Sequence, residues 1–257
     1  MISIITPTYN SEQYIENCIR SVMLQDAVFE HIIVDGGSTD GTLQILKKYE
    51  NQYNMRWISE KDNGMYDAIS KGFKMAKGDV FAWINSDDQY LPWTLKTVQK
   101  IFENPAVKWI QGMPSYMNAD GMQYMSRDQR FTPDSRYIAK GMHDGQRLGC
   151  LQQESSFWRR ELFEECGGLR RELKYAGDFH LWKAFAQHAQ LYTVNSVLAC
   201  FRIHEDQKSA NRQAYLAEIG IISPFEVFLK KIKVYKIVRM TEGLKARKYR
   251  IDVRGLE

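Results

Sequence analysis

The stretch of this sequence best equipped for chemistry is Asn85-Ser86-Asp87-Asp88. It sets a carboxamide, a hydroxyl and two carboxylates side by side. Clustered oxygen donors of this kind bind hard cations such as Mg²⁺ or Mn²⁺, which in turn hold phosphates. The tetrapeptide follows the apolar run Val80-Phe81-Ala82-Trp83-Ile84, which has the length and composition of a buried strand. Pro92 then stands where a first helical position would be, ahead of Leu95, Val98 and Phe102 at helical spacing. The acidic pair therefore falls where a strand has ended and a helix has not begun, the edge of an open α/β sheet where ligands bind. The competing reading of this segment alone is a polar turn with Asp88 capping the next helix.

Other acids occupy comparable places. Asp35 ends a second apolar run, His31-Ile32-Ile33-Val34, and is followed by Gly36-Gly37-Ser38-Thr39-Asp40-Gly41. An acid at a strand tip beside small residues can accept hydrogen bonds from a nucleobase or ribose, while Ser38 or Thr39 can cap the next helix. The glycine spacing is not the G-x-G-x-x-G of dinucleotide-binding turns. Asp67 and Lys71, four apart, share a helix face, either as a surface ion pair or with Lys71 near a phosphate or base. Asp178 opens a predicted helix bearing Phe179, Trp182, Ala186 and Ala189 on one side, a place where an aspartate is most often a cap. His204 closes Phe201-Arg202-Ile203-His204, and taken singly would be structural.

The elements that position these groups alternate. Strands are predicted at 2–6, 31–35, 57–59, 80–84 and 109–112, the first broken by Pro7-Thr8-Tyr9-Asn10. Helices follow, the first capped by Ser11 and carrying Ile15, Ile19 and Val22, the second beginning at Leu43 and Leu46, the third running over 65–76 with Ile69, Phe73 and Ala76 inward. Strand and helix in this order give a parallel sheet with right-handed crossovers. Residues 114–149 show weak periodicity and read as a functional loop or lid, with a strand pair around 122–125. Order returns at Gln152, a short helix closes at Gly167-Gly168, and a last strand is predicted over 191–201.

The totals set bounds. At 257 residues, 44% hydrophobic and 26% charged, the chain suits one large domain or one domain with an appendage. Four scattered cysteines without a CxxC pair argue against a zinc site or disulfide framework and for a reducing, cytoplasmic compartment. The first residues run into a strand without a basic n-region, unlike a signal peptide, and no run of about 18 apolar residues suggests a membrane span. From Phe225 to Glu257 there are ten Lys/Arg against four Asp/Glu, so the net charge of +4 leaves the rest of the chain mildly acidic. This tail carries a short amphipathic stripe (Phe225, Phe228, Leu229, Ile232, Tyr235), suited to packing on the body, on a second subunit in a homodimer, or on an anionic membrane surface. Because the basic surplus is confined to the tail, nucleic acid is not expected as a partner.

Six stretches in order resemble the family 2 inverting glycosyltransferases of GT-A fold, from Met1 to about Ser209. They are Ile4 to Asn10, Val34 to Thr42, Asp62 to Gly72, Asn85 to Asp88, Gln153 to Arg160 and Asp178 to Trp182. The resemblance implies a mixed, mostly parallel α/β sheet flanked by helices. A nucleotide-sugar half would span residues 1–112 and an acceptor half 113–222, with a basic helical extension over 223–257. It implies a nucleoside-diphosphate sugar donor, a UDP-sugar first among them, and a divalent metal, Mn²⁺ or Mg²⁺. The acceptor would be a glycan or lipid-linked glycan of bacterial polysaccharide synthesis, reached in the cytoplasm or on the inner face of its membrane.

Residue by residue, the resemblance makes Asp35 the acid that reads the base, with Pro7 and Tyr9 as pocket walls. It places Thr6, Asp62, Asp67, Lys71, Asn85 and Ser86 in the same donor site. Asp87 matches the metal-ligating acid of the family's DxD and His204 a late metal or phosphate contact. Gln153 and Glu154 line the acceptor side, and Asp178 is the general base. This sequence has Asn85 where the family has the first DxD acid, Gly36 where it often has a second acid, and Gly177 where many members have Glu. A sugar nucleotidyltransferase would want a Gly-rich, basic loop after the first strand, and Pro7-Thr8-Tyr9-Asn10 has neither feature. A non-catalytic sugar- or nucleotide-binding protein is the remaining alternative, against which Asp178 stands.

Overall fold

The computed structural model describes residues 1–124, 133–205, 207–221 and 249–256. Along the chain come β1 (Ile2–Thr8), α1 (Ile15–Met23), β2 (Phe29–Asp35), α2 (Thr42–Tyr49), β3 (Met55–Ser59), α3 (Met65–Met75) and β4 (Val80–Trp83). Then follow β5 (Gln89–Tyr90), α4 (Thr94–Ile101), β6 (Trp109–Met113), β7 (Tyr116–Met117), β8 (Gln123–Tyr124) and α5 (Ser135–Ala139). A single 3₁₀ turn, Gln153–Ser155, leads into β9 (Ser156–Arg159), α6 (Arg160–Glu165), α7 (Gly177–His188), β10 (Leu191–Val197) and β11 (Ala199–Arg202). Another 3₁₀ turn at Lys208–Ala210, α8 (Arg212–Glu218) and β12 (Arg250–Ile251) complete the described elements.

The main sheet has the order β12-β10-β6-β9-β4-β1-β2-β3, parallel except for β9, which runs antiparallel to both β4 and β6. Its strands read as near-continuous apolar runs because helices cover both faces. Side chains alternate across the pleat, so neighbours in β1 serve opposite cores. Ile5 packs with Ile69 and Phe73 of α3 and Trp182 and Phe185 of α7, whereas Ile4 packs with Cys18 and Val22 of α1 and Leu95 and Val98 of α4. A smaller sheet, β5-β11-β7-β8, lies beyond the main one.

Several elements differ from the sequence expectation. β1 runs through Pro7 to Thr8; its rungs with β4 end at Ile5, so the proline lies where pairing continues only with β2. Ser11 does not cap α1 with its side chain, because its hydroxyl bonds Tyr9 O and Ser86 instead. Neither Ser38 nor Thr39 caps α2; Asp40 accepts from Thr42 N at 3.0 Å and from Glu12 N at 3.0 Å. Pro92 precedes α4 by two residues rather than opening it. The expected last strand is two, β10 in the main sheet and β11 in the small one, with the chain turning at buried Leu198. The strand pair expected around 122–125 is β7 with β8; Met125 lies outside the described residues. So does the amphipathic stripe of the tail, but β12 pairs with β10 and returns the end of the chain to the main sheet. Among the described residues no helix is long and apolar enough to cross a membrane, and all four cysteines are free.

Candidate active site

The Asn85–Asp88 turn forms because β4 stops after Trp83, with Ile84 N making the last rung to Ile5 O and Asp88 N closing the turn on Asn85 O at 3.1 Å. Its two acids point different ways. Asp88 is fully buried and accepts from Arg202 N at 2.9 Å, with Asn85 Nδ2 at 3.5 Å. Burial, with Asp87 and Glu154 close by, pushes its carboxyl well above the usual range. Asp88 therefore neither caps a helix nor adds to the outward donor set; it fastens the turn to β11. Asp87 faces outward, its Oδ2 lying 3.0 Å from His204 Nε2. Arg202, itself buried, donates from Nε to Asp87 O at 2.7 Å and from Nη1 to Asn118 O and Ala119 O. Its guanidinium lies over the Tyr14 ring, on which the His204 ring also rests at 4.9 Å.

Across from this pair stand two more acids. Gln153 and Glu154 occupy the 3₁₀ turn before β9, and Gln153 Nε2 donates to Trp83 O, which ties the turn to the end of β4. Glu154 is buried with Oε1 unpartnered. Burial, together with Asp87 and Asp178, holds its carboxyl above the usual range. Asp178 sits in the first turn of α7, accepting from Phe179 N at 2.8 Å and facing the Tyr66 hydroxyl at 3.4 Å. Burial pushes its carboxyl up to about 6. A Cβ on Gly177 would lie 2.7 Å from the Tyr66 ring, so the glycine is what lets Tyr66 reach Asp178. One turn on, Trp182 stacks on Trp83 at 5.8 Å and 7°, which locks α7 to the strand that ends in the Asp87 turn.

The remaining sequence candidates divide. Asp35 is fully buried, and its carboxylate accepts from Gly37 N, Ser38 N, Ser59 Oγ and Ser38 Oγ. Three of these donors lie on Oδ2 and one on Oδ1, so the carboxylate organises its own loop. Tyr9, 62% exposed, and Asp62 flank Gly36: a Cβ there would lie 2.8 Å from Asp62 Oδ2 and 3.3 Å from the Tyr9 ring. The space left by the missing second acid is thus occupied by the Asp62 carboxylate. Thr6 belongs elsewhere, since its hydroxyl is buried against His31 Nε2 at 2.8 Å. Lys71 is engaged by Glu60 at 2.8 Å and Asp67 at 3.5 Å, and Asp67 also receives Asn63 N. That pair secures the loop bearing Asp62. Ser86 meets Ser11 Oγ at 2.9 Å, joining the Asp87 turn to the start of α1.

A family model described as Glycosyl transferase family 2 matches residues 3–167, well over half of the chain. The chain belongs to glycosyl transferase family 2. It is similar, at 25% identity over 244 residues, to an uncharacterized glycosyltransferase of Rickettsia typhi, covering 93% of this chain and 74% of the relative. It also resembles the poly(ribitol-phosphate) beta-N-acetylglucosaminyltransferase TarS of Staphylococcus aureus, 38% identical over 99 residues, 37% of this chain but 17% of the relative. The structure of TarS residues 1–349 with UDP-GlcNAc superposes with a TM-score of 0.63 at 21% identity, covering 96% of this chain and 69% of that one. The mannosyltransferase PcManGT of Pyrobaculum calidifontis, with GDP-Man and Mn²⁺, gives 0.67 at 18% identity, covering 96% and 77%. At such identities these likenesses establish the GT-A fold, and the family makes this chain a glycosyltransferase.

The candidate site includes residues that the sequence pattern does not single out. Tyr66 lies within the Asp62 to Gly72 stretch, where nothing local marks it apart from its neighbours. Arg202 stood beside His204, and nothing local distinguishes a buried arginine from an exposed one. Glu218 carries no signal at all, because the amides its carboxylate binds lie more than forty residues earlier.

Proposed function

We propose that this enzyme is an inverting glycosyltransferase moving a sugar from a nucleoside-diphosphate sugar to a hydroxyl of a glycan or lipid-linked glycan. One observation carries the reading: Asp87 and His204 meet at the carboxyl edge of the sheet within electrostatic range of Glu154, which senses Asp178 as well. Support comes also from the relatives, one bound to UDP-GlcNAc and another to GDP-Man with Mn²⁺. A carboxylate oxygen and an imidazole nitrogen 3.0 Å apart are donors that would hold a divalent cation. The nitrogen favours Mn²⁺ over the oxygen-seeking Mg²⁺. Such an ion would supply charge neutralisation on the departing diphosphate.

Asp178 takes the proton of the acceptor hydroxyl as its oxygen attacks the anomeric carbon and the bond to the diphosphate breaks on the opposite side, so that configuration inverts. Glu154, neutral through burial, can donate a hydrogen bond to an acceptor or donor oxygen; Gln153, held on Trp83 O, presents its free carbonyl beside it. Tyr9 and Asp62 bracket the nucleoside side. The test is calorimetric titration with UDP-GlcNAc and GDP-mannose, each with and without Mn²⁺, on wild type and Asp87→Asn. Binding of one donor that strengthens with Mn²⁺ in wild type alone is the expected result. Metal-independent binding that is the same in both proteins would remove Asp87 from the donor site.

A further inference from the structure

The loop that presents Asp178 is held from outside its own helix. The backbone N–H groups of Lys174, Tyr175 and Ala176, the three residues before α7, all donate to the Glu218 carboxylate at 2.8, 2.9 and 2.8 Å. Glu218 lies at the end of α8, on the segment that follows His204. That segment crosses the site as a strap. Gln207 Oε1 accepts from His204 N at 3.1 Å, Lys208 Nζ lies over the rings of Tyr66 and Tyr175, and Asn211 Nδ2 donates to the Tyr175 hydroxyl at 3.4 Å. The Glu218 carbonyl then faces His180 Nε2 at 3.3 Å, on the first turns of the base helix. Chain continuity thus runs from the candidate metal ligand to the anchor of the candidate base.

We infer that Glu218 is a positioning residue for sugar transfer: its carboxylate fixes the Lys174–Ala176 loop so that Asp178 faces the acceptor. The inference rests on the reading of Asp178 as the base. Three charge-assisted bonds from consecutive amides define one loop conformation, and a carboxylate before a helix N-terminus is favoured by the helix dipole. The titratable groups facing Asp178 are Tyr66 from α3, Glu154 from the turn before β9, Cys150 from the preceding loop, and Tyr215 and Glu218 from α8. Burial holds the two tyrosines and Glu154 in their neutral forms, and the Cys150 thiol, raised to about 11, is neutral as well. Glu218 is the ionised one, since its three N–H donors, with Lys208 nearby, overcome the effect of its own burial. Burial is the main reason the Asp178 carboxyl is raised, and the like charge of Glu218 adds a smaller push in the same direction.

The test follows the Asp178 carboxyl directly, by ¹³C NMR titration of aspartate-labelled full-length protein, assigned with Asp178→Asn. Glu218→Gln can keep an oxygen on two of the three amides while losing the charge, so the Asp178 midpoint should move to lower pH with melting temperature little changed. Glu218→Ala should show the same shift, faster amide exchange at 174–176, and a turnover loss of about ten- to a hundredfold from misplacement of the base. Turnover is measured as nucleoside diphosphate released from whichever donor binds in the calorimetric test. Unchanged turnover and unchanged amide exchange at 174–176 in Glu218→Ala, with Asp178→Asn inactive, overturn this inference alone. Retained turnover in Asp178→Asn overturns the base assignment and, with it, the role of Glu218.

Discussion

A carboxylate accepts a proton only in the fraction of molecules where it is ionised, so the rate should report the state of Asp178. Its carboxyl is raised to about 6, chiefly by burial. Below that value it is protonated and idle, and above it the base is ready. The expected profile of kcat/KM therefore falls about tenfold per pH unit below pH 6 and flattens above. Asp178→Asn should lower kcat by about 10²–10⁴ while donor affinity stays within twofold of wild type, roughly the range of one lost general base. A profile flat down to pH 5 would place the essential base elsewhere. Glu154 carries the opposite expectation: being neutral at pH 7, it should tolerate Glu154→Gln far better than Glu154→Ala. At this scale the acids that end a strand or open a helix are legible, because the flanking apolar run or helical stripe gives their place. Their pairing is not. Asp88 and Asp87 are adjacent and of one type, yet one is fully buried on Arg202 N and the other meets His204, contacts made over a hundred residues away.

Elements carry that pairing. β11 is held against the Asp87 turn by Arg202, through its N–H to Asp88 and its Nε to Asp87 O, and this sets the reach of His204 two residues on. Arg202→Lys keeps the charge but loses the planar fork that serves three carbonyls at once. At the proposed metal site it should weaken Mn²⁺ binding by about ten- to a hundredfold, the range for loss of a contact that supports a metal ligand. Mn²⁺ titration in the presence of UDP checks this, and an unchanged affinity would show that β11 holds its place without the arginine. The βα alternation of the first half was readable since each unit has its own periodicity. β9 was not: Phe157 and Trp158 read as an ordinary apolar pair, and nothing near them says that the strand enters antiparallel between β4 and β6. Likewise Leu191 to Phe201 reads as one strand in sequence, and only the close fit of Leu198 against Gly112, where a Cβ would come within 2.7 Å, shows where it turns from one sheet to the other.

For the whole molecule, gathering buried acids in one place makes stability depend on pH. Asp88 and Glu154 keep protons in the fold that the unfolded chain releases near pH 4, so their effect is to lower stability as pH rises toward their folded values. His31 and His143 are held down to about 3 and about 4 by burial, and cost stability as pH falls below the ordinary histidine range near 6.5. The metal-free protein should therefore lose melting temperature most clearly between about pH 6.5 and 8, where the acids act alone, and Glu154→Gln should flatten that slope. The far edge of the sheet answers to a different force. β12 pairs with β10, and Ile251, Val253 and Leu256 pack partly buried on the core that includes Ile110 and Val194. In the order β12-β10-β6-β9-β4, three strands separate this edge from the strand that ends at the Asp87 turn. Ending the chain at residue 248 removes about half the full burial of three apolar side chains, about 2–4 kcal/mol. In a protein of this size that lowers the melting temperature by roughly 5–10 °C, with donor affinity unchanged. A melt and a donor titration on the shortened chain decide the matter: lost donor binding at an unchanged melting temperature would mean that the end of the chain serves the site rather than the sheet.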